Sequence, residues 1–284
     1  MLSRKINGLL HLIRPELSLS AGVCVVAGQV LSLGRLPPWT TAALGFLVAF
    51  TLSASALILN DTFDIEVDRI NAPDRPLPSG AVSPGESVAL FLVATLAGLA
   101  SAYALGVAVL LVGILFWAIG FLYNWRGKQT GLPGNLMVSA SVAVTFILGA
   151  MTARSPWNPL VWVFSLMAFF VDLGEEIAGD AMDMEGDKQR ASRSLALVIG
   201  KARALRVSTA CWALVLALGL LPAVLGWLGL IYLVVILLTD ALIVFFTARL
   251  LRAQTPEAGR RAMRGIYLGG MAGIVAFLLG QFVR

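Results

Sequence analysis

Long apolar stretches recur along the whole chain and constrain its fold more than any other feature. A helix needs about 20 apolar residues to cross the roughly 30 Å hydrocarbon core of a bilayer. Hydrophobic residues make up 58% of the 284 residues and charged residues only 13%, about half the charged share of an average soluble domain. We therefore predict a single membrane-embedded all-α domain over 1–284, with about nine transmembrane helices and eight or ten as alternatives. The predicted spans are 17–33, 39–59, 88–105, 107–124, 135–153, 157–173, 205–223, 227–248 and 265–283.

The basic residues predict how these spans are oriented. Segment 1–14 is too short to span and mixes basic residues with leucine and isoleucine, which predicts a helix lying at the membrane interface. If nine spans alternate in direction, all lysines and arginines except Arg35, Arg154 and Arg284 fall on one side. Cytoplasmic loops are enriched in lysine and arginine. This side, with the segments 60–87 and 172–204 as motif loops, is therefore predicted to face the cytoplasm from the cell membrane.

The acidic residues are concentrated in two clusters, which follow the second and the sixth predicted spans. Segment 60–68 can be laid over 179–187, and four acids then coincide at an offset of 119 residues (61 to 180). Residues three, four or seven positions apart share one face of a helix. Each cluster is therefore predicted to present a stripe of three aspartates. The stripes are Asp61, Asp64 and Asp68 in the first cluster, and Asp180, Asp183 and Asp187 in the second.

Aspartates aligned on one helix face repel one another, and poor solvation at a membrane boundary increases their need for a cation. Mg²⁺ prefers carboxylate oxygens and commonly combines one or two of them with substrate phosphates and water. Two facing stripes therefore predict metal ions that hold a diphosphate. A solvated charged face is the alternative, but it explains the matched spacing poorly. The lone Asp240 in the eighth span is equally consistent with helix packing and with substrate contact.

Histidine and cysteine offer little support for other chemistry. His11 is the only histidine and lies far in sequence from the acidic clusters, while Cys24 and Cys211 lie in separate apolar runs. The chain therefore lacks the spacing of a histidine and cysteine metal site or of a disulfide framework.

At the acidic clusters the sequence resembles the UbiA superfamily of intramembrane prenyltransferases. Residues 60–68 are similar to the family's NDxxDxxxD motif, and 69–80 are similar to the arginine-proline-x-proline-serine-glycine segment that follows it. Residues 180–187 are similar to the second aspartate motif, and a third match covers 123–128 and leads into 130–135. The resemblance extends over essentially the whole chain.

The resemblance implies a helical bundle around a central cavity, with both motifs at its cytoplasmic mouth and Mg²⁺ bridging them to a prenyl diphosphate. The residues expected to be catalytic are Asp64, Asp68, Asp183 and Asp187. The expected metal ligands, from the motifs and stripes together, are Asn60, Asp61, Asp64, Asp68, Glu176, Asp180, Asp183 and Asp187.

Further residues beside the motifs are expected to bind the diphosphate or the prenyl tail. The polar and basic set is Asn60, Arg75, Tyr123, Arg126, Lys128, Lys188, Arg190 and Arg193. For the basic members, ordinary enrichment of cytoplasmic loops is the alternative. The tail is expected to lie among aromatic residues such as Phe63, Phe116, Phe121, Phe146, Phe169 and Phe170.

Within the superfamily, residues 177–187 most resemble the digeranylgeranylglyceryl phosphate synthases of archaeal ether lipid synthesis, which share an acid-rich stretch ending in Glu-Gly-Asp. The expected reaction is transfer of a geranylgeranyl group to geranylgeranylglyceryl phosphate. Because chlorophyll synthases carry a similar ending, a chlorophyllide, an aromatic or quinone precursor, or heme stays open as the acceptor. Segment 14–17 lacks the asparagine that many members place two residues after the proline, and this departure also bears on the acceptor.

A membrane transporter is the alternative from a different functional class. An inverted-repeat carrier would place its matched elements on opposite sides of the membrane, whereas both acidic clusters are predicted to lie on one side. The net charge of +5 follows from membrane orientation, so nucleic acid is not expected as a partner. No obligate protein partner is indicated, and the expected partners are a prenyl diphosphate, a lipophilic acceptor and membrane lipids.

Overall fold

The computed structural model describes residues 2–189 and 192–282, and over these residues the chain forms α-helices and one 3₁₀ turn, Gly127–Gln129. Arg190 and Arg284, named above, lie outside the described residues. The helices are α1 (Leu2–Ile13), α2 (Pro15–Leu33), α3 (Trp39–Phe63), α4 (Ile65–Asn71), α5 (Pro84–Leu105), α6 (Val107–Trp125), α7 (Leu132–Thr152), α8 (Pro159–Met182), α9 (Met184–Gln189), α10 (Leu195–Ile199), α11 (Lys201–Val224), α12 (Leu230–Leu251) and α13 (Pro256–Phe282).

Seven helices in the described part of the chain are both long and apolar enough to cross a membrane, namely α2, α3, α5, α6, α7, α11 and α12. Two more have comparable length: α8, with 24 residues, contains four acids of the second cluster (Asp172, Glu175, Glu176 and Asp180), and α13, with 27 residues, begins with a basic stretch. The predicted all-α membrane fold is confirmed. The predicted count of nine spans is not confirmed and stays a prediction.

Close helix packing in the bundle depends on small residues. α2 packs on α7, and α7 packs in turn on α8. A Cβ atom added at Gly28 would lie 2.3 Å from the carbonyl oxygen of Phe146, and one added at Gly149 would lie 2.2 Å from that of Val25. Between membrane helices the apolar lipid supplies little hydrophobic drive for association, so close backbone contact of this kind is a main source of stability.

The N-terminal helix α1 packs against the segment that follows the first acidic motif. Leu12 is fully buried and belongs to a small cluster with Ile58, Leu77 and Val82. On its outer face Ile6 is 51% exposed. The predicted interfacial position of α1 stays a prediction, but its packing on the loop 72–83 was not foreseen from the sequence. This contact holds the loop close to the end of α3.

The turn between α6 and α7 supports the loop that follows α9. The backbone N–H of Arg193 donates to the carbonyl of Gln129 at 3.0 Å. Gly131 has φ 72° and ψ −122°, and a Cβ atom there would lie 1.9 Å from the carbonyl oxygen of Arg193. Only glycine satisfies both the positive φ and this contact without displacement.

We predict that Gly131→Ala separates this turn from the second motif loop. Backbone strain alone is expected to cost about 1–3 kcal/mol, and the clash adds to it. Thermal unfolding of the detergent-solubilised variant should therefore begin at a lower temperature. Gly85→Ala is the matched control, because Gly85 has open space around its α-carbon. Equal melting temperatures for both variants would contradict the proposed support.

Candidate active site

Both acidic motifs interrupt their helices at the matched aspartate. α3 ends one residue before Asp64 and α4 begins one residue after it, and α8 and α9 flank Asp183 in the same way. The two aspartates have similar backbone angles, φ −92° and ψ 5° at Asp64 and φ −116° and ψ 24° at Asp183. The predicted continuous stripes were therefore wrong in detail, since each stripe bends at its middle aspartate. The internal repeat extends to the backbone conformation.

Two buried aspartates of the first motif form ion pairs with arginines from other segments. An Nη atom of Arg14 donates to Asp61 at 2.5 Å, and one of Arg75 donates to Asp68 at 2.7 Å while lying 3.7 Å from Asp61. Asp61 and Asp68 are only 5% and 6% exposed. Both pairs supply the opposite charge that a carboxylate needs where solvation is poor.

The third aspartate of this motif is also paired, because Lys128 forms a salt bridge with Asp64. The pKa of the Arg75 guanidinium is raised above its ordinary value: burial lowers it, but the hydrogen bond and attraction of Asp68 outweigh burial. Arg75 therefore stays charged at neutral pH. Each aspartate of the first motif therefore has a cationic partner.

A pair of asparagines orients the first residue of the motif. The amide nitrogen of Asn60 donates to the side-chain oxygen of Asn124 at 2.8 Å. Asn124 itself is buried and donates to the backbone carbonyls of Ala56 and Gly120 at 3.1 and 3.0 Å. Because its nitrogen is engaged, Asn60 offers its carbonyl oxygen to a ligand. That oxygen is a suitable donor to Mg²⁺.

The second motif is held mainly by neutral donors. Asn135 donates to Asp180 at 2.9 Å, and Ser139 donates to Asp172 at 2.7 Å. Both donors lie on α7, which packs against α8. Such contacts orient the carboxylates without neutralising them, so this side of the site keeps an excess of negative charge.

Two observations show that the second motif suits a hard cation. Asp187 is 7% exposed, and its Oδ2 atom has no hydrogen-bond partner among the described residues. A Cβ atom at Gly186 would lie 2.8 Å from one carboxylate oxygen of Asp183, so the glycine leaves room for that carboxylate. A buried carboxylate oxygen without a partner is costly unless a cation or donor reaches it.

No three acidic, histidine or cysteine side chains converge as a metal-holding group within residues 2–189 and 192–282. The donor set nevertheless fits Mg²⁺, which commonly uses few protein ligands and completes its octahedron with phosphates and water. Asn60, Asp64, Asp68, Asp183 and Asp187 would hold it. Asp61 is paired through one oxygen with Arg14 and lies near Arg75, and its predicted role as a ligand stays a prediction.

The remaining predicted residues differ in their contacts with the carboxylates of the two motifs. Tyr123 lies within electrostatic range of carboxylates of both acidic clusters, Glu176 and Asp180 of the second and Asp64 of the first. By contrast, the Arg126 guanidinium stacks on the Trp125 ring at 4.7 Å.

Two predicted basic residues after the second motif make no described side-chain contact with its aspartates. Lys188 is exposed and lies 3.6 Å from Glu185. Arg193 is exposed and contributes its backbone N–H to the turn described above. The predicted phosphate contacts of Arg126, Lys188 and Arg193 stay predictions.

A cavity of about 120 Å³ lies beside the second motif, among α2, α7, α8, α11, α12 and α13. Most of its wall is apolar, but Asp172, Glu175, Asp240 and Tyr267 also contribute. Of the phenylalanines expected to contact a prenyl tail, Phe146 lines this cavity. Both carboxylate oxygens of Asp240 are buried and have no hydrogen-bond partner in the described structure.

Comparison with known proteins agrees with the predicted family and fold. Residues 21–278 match the model of the UbiA prenyltransferase family. The chain belongs to this family. It is 34% identical over 279 residues to the digeranylgeranylglyceryl phosphate synthase of Thermococcus kodakarensis, covering 97% of this chain and 98% of that protein. It is 36% identical over 269 residues to the synthase so named in Methanopyrus kandleri, covering 95% and 97%.

Solved structures of UbiA proteins share the architecture. A structure of a digeranylgeranylglyceryl phosphate synthase superposes with a TM-score of 0.84 at 28% identity, covering 98% of this chain and 99% of that one. A UbiA homologue from Archaeoglobus fulgidus, bound to GPP and Mg²⁺, superposes with a TM-score of 0.72 at 20% identity, covering 95% and 99%. The second likeness concerns the fold alone. The predicted prenyltransferase class and the helical membrane fold are confirmed.

Sequence reasoning missed the roles of Arg14, Asn124, Asn135 and Ser139. Each supports a motif aspartate or asparagine from another part of the chain. The available signal was the presence of polar residues within or beside apolar runs, because such residues are costly in a membrane without a partner. Sequence alone did not indicate which acid each one meets.

We predict that Asn124→Ala raises the Mg²⁺ concentration needed for half-maximal activity by roughly tenfold or more, the usual cost of losing a residue that orients a metal ligand. The physical reason is that Asn60 loses its hydrogen bond and adopts other rotamers. A Mg²⁺ titration of prenyl transfer measures the effect. Ser101→Ala is the control, since Ser101 is exposed and bonds only to its own helix. An unchanged Mg²⁺ requirement in Asn124→Ala would contradict the orienting role.

Proposed function

We propose that the chain transfers a geranylgeranyl group from geranylgeranyl diphosphate to geranylgeranylglyceryl phosphate, with Mg²⁺ as cofactor, in ether lipid synthesis. The observation that carries the proposal is the likeness, over nearly the full length, to relatives named digeranylgeranylglyceryl phosphate synthase. The geometry supports it: carboxylates of both motifs act on Tyr123, and an apolar cavity beside the second motif suits a substrate with a long apolar tail.

The reaction begins with cleavage of the carbon–oxygen bond between the prenyl group and the diphosphate. When bound, Mg²⁺ neutralises the charge that develops on the leaving diphosphate. Arg75 and Lys128 are paired with Asp68 and Asp64 before substrate binds. When the diphosphate binds, its oxygens replace these carboxylates and accept hydrogen bonds from Arg75 and Lys128. Such preorganised cations stabilise the leaving group without reorganisation at the moment of reaction.

The allylic carbon is then attacked by the free hydroxyl of the glyceryl acceptor, forming an ether bond. The hydroxyl proton passes to a carboxylate of one of the two motifs, and diphosphate is released. An ionised donor places little demand on the strength of this base. The apolar cavity beside the second motif limits the access of water, which would otherwise compete with the acceptor hydroxyl for the allylic cation.

The orientation of the protein forms part of the proposal. We place both motifs at the cytoplasmic face of the cell membrane, because nearly all basic residues follow them to that side in the predicted topology. A prenyl diphosphate has an anionic head group and an apolar tail, so a site at the membrane–water boundary can accommodate both. The lipid acceptor reaches it from within the bilayer.

We predict that detergent-purified protein with labelled geranylgeranyl diphosphate and Mg²⁺ forms product with geranylgeranylglyceryl phosphate. Chlorophyllide and 4-hydroxybenzoate, supplied separately, should give none. Chromatography of the labelled lipid measures the outcome. If product formed only with one of the other acceptors, the family assignment would stand but the proposed acceptor would be wrong.

We further predict that Asp64→Asn and Asp183→Asn each lower turnover by roughly 100-fold or more, the scale on which loss of a single electrostatic stabiliser reduces kcat. Both changes remove a negative charge from the proposed Mg²⁺ site. The controls are Glu66→Gln and Glu185→Gln, a matched pair of acids from the two motifs. Both acids are exposed and, in the described structure, pair only with nearby Arg69 and Lys188. If the controls lost as much activity as the motif variants, general charge loss rather than metal binding would be responsible.

A further inference from the structure

One face of α13 carries two arginines and a tyrosine at helical spacing. Arg260, Arg264 and Tyr267 are separated by four and three residues, so they share one side of the helix. With a rise of about 1.5 Å per residue, Arg264 lies roughly 4.5 Å and Arg260 roughly 10.5 Å from Tyr267 along the axis. All three side chains are exposed in this structure.

This part of α13 runs alongside the second motif. A Cβ atom at Gly259 would meet the Met182 side chain, and the Met263 side chain approaches within 3.7 Å of a Cβ atom at Gly179. α13 and α8 are therefore antiparallel and in contact where α8 reaches its aspartates. Arg260 and Arg264 lie at the level of Asp180 and Asp183, near the mouth of the site.

Tyr267 connects this face to the cavity. Its side chain lines the cavity together with Asp172 and Glu175. Moving along α13 from the cavity towards the mouth, the face changes from the aromatic Tyr267 to the basic Arg264 and Arg260. An amphiphile with an apolar tail and an anionic head would match this order.

The arginines of this face differ from the basic residues of the first motif. Arg14, Arg75 and Lys128 are engaged by carboxylates. In the described ranges, neither Arg260 nor Arg264 forms a salt bridge with a carboxylate. Glu257 lies within electrostatic range of Arg260, so Arg264 is the arginine without a described acidic partner. A guanidinium without an acidic partner is free to donate two parallel hydrogen bonds to a phosphate.

We infer that Arg264, assisted by Arg260, binds the phosphate head group of the lipid acceptor, while the cavity behind Tyr267 receives its apolar tail. The inference rests on the proposed function, because it requires a phosphorylated acceptor. This placement puts the acceptor on the side of the second motif, opposite Arg75 and Lys128. It separates the acceptor phosphate from the donor diphosphate, so the two anions are held by different cations.

The test compares two acceptors in each variant: geranylgeranylglyceryl phosphate and geranylgeranylglycerol, which lacks the phosphate. In Arg264→Gln we expect the KM for the phosphorylated acceptor to rise roughly 10- to 100-fold, the fold-change equivalent to one charged hydrogen-bonding contact. The KM for geranylgeranyl diphosphate and the turnover of geranylgeranylglycerol should stay unchanged. Arg264→Lys should recover part of the loss, and Arg260→Gln should show a smaller effect in the same direction.

Arg261→Gln is the matched control. Arg261 is also exposed, but it lies about 100° away from Arg260 around the helix, so it should leave both KM values unchanged. If all three arginines matter equally, the basic residues serve membrane orientation or attraction to anionic lipid, and the inference is overturned. The same conclusion follows if Arg264→Gln raises the KM of the donor instead.

Failure of the proposed function is recognised separately. If the wild-type protein uses another acceptor but not the phosphorylated lipid, the function and the inference both fall. If the wild-type protein uses the phosphorylated lipid and Arg264→Gln keeps the same preference for it over geranylgeranylglycerol, the function stands and only the inference fails. Each variant is assayed only if its melting temperature equals that of the wild-type protein. If Arg264→Gln does not fold, Arg264→Lys and Arg260→Gln are tested with the same two acceptors and decide the question.

Discussion

The rest of this structure depends on one constraint: crowded carboxylates at the edge of an apolar bundle must be neutralised. Three aspartates of the first motif would repel one another in a poorly solvated site, and each is met by a cation. These cations come from the junction of α1 and α2, from the loop after α4 and from the turn after α6. Charge pairing therefore ties three segments, distant in sequence, to the end of α3, and it forms the mouth of the site before any substrate is bound.

The two motifs repeat in spacing and backbone conformation but differ in how their charge is balanced. The second motif receives hydrogen bonds from neutral Asn135 and Ser139, and one oxygen of Asp187 has no described partner. A symmetric arrangement, with arginines on both sides, would leave little attraction for a metal ion. The asymmetry leaves cations at the first motif and an excess of carboxylates at the second. In the proposed function, these cations meet phosphate oxygens and the carboxylates attract Mg²⁺. This division fits transfer from a metal-bound diphosphate.

Much of this arrangement could be predicted from the sequence, because a bilayer leaves few choices to an apolar run. The backbone must satisfy its own hydrogen bonds, so each predicted run falls mostly within one helix. The runs 135–153, 157–173 and 227–248 extend beyond their helices by one to three residues. The spacing of the acids likewise indicated two equivalent sites, and Asp64 and Asp183 do occupy equivalent backbone positions. The bend at these aspartates was missed, since local periodicity does not show where a helix is interrupted. The pairing of Arg14 with Asp61, 47 residues away, depends on tertiary packing that no local pattern encodes.

Asp240 shows how the structure narrows an alternative that the sequence left open. A polar residue that serves helix packing in a membrane hydrogen-bonds across the interface, and this contact offsets the cost of burying it. Asp240 makes no such bond within the described structure, and instead it lines the cavity with Asp172 and Glu175. An unpartnered carboxyl group is expensive to maintain in an apolar wall. Its position therefore favours contact with the contents of the cavity over a role in packing, and with Asp172 and Glu175 it adds a carboxyl group to a mostly apolar wall.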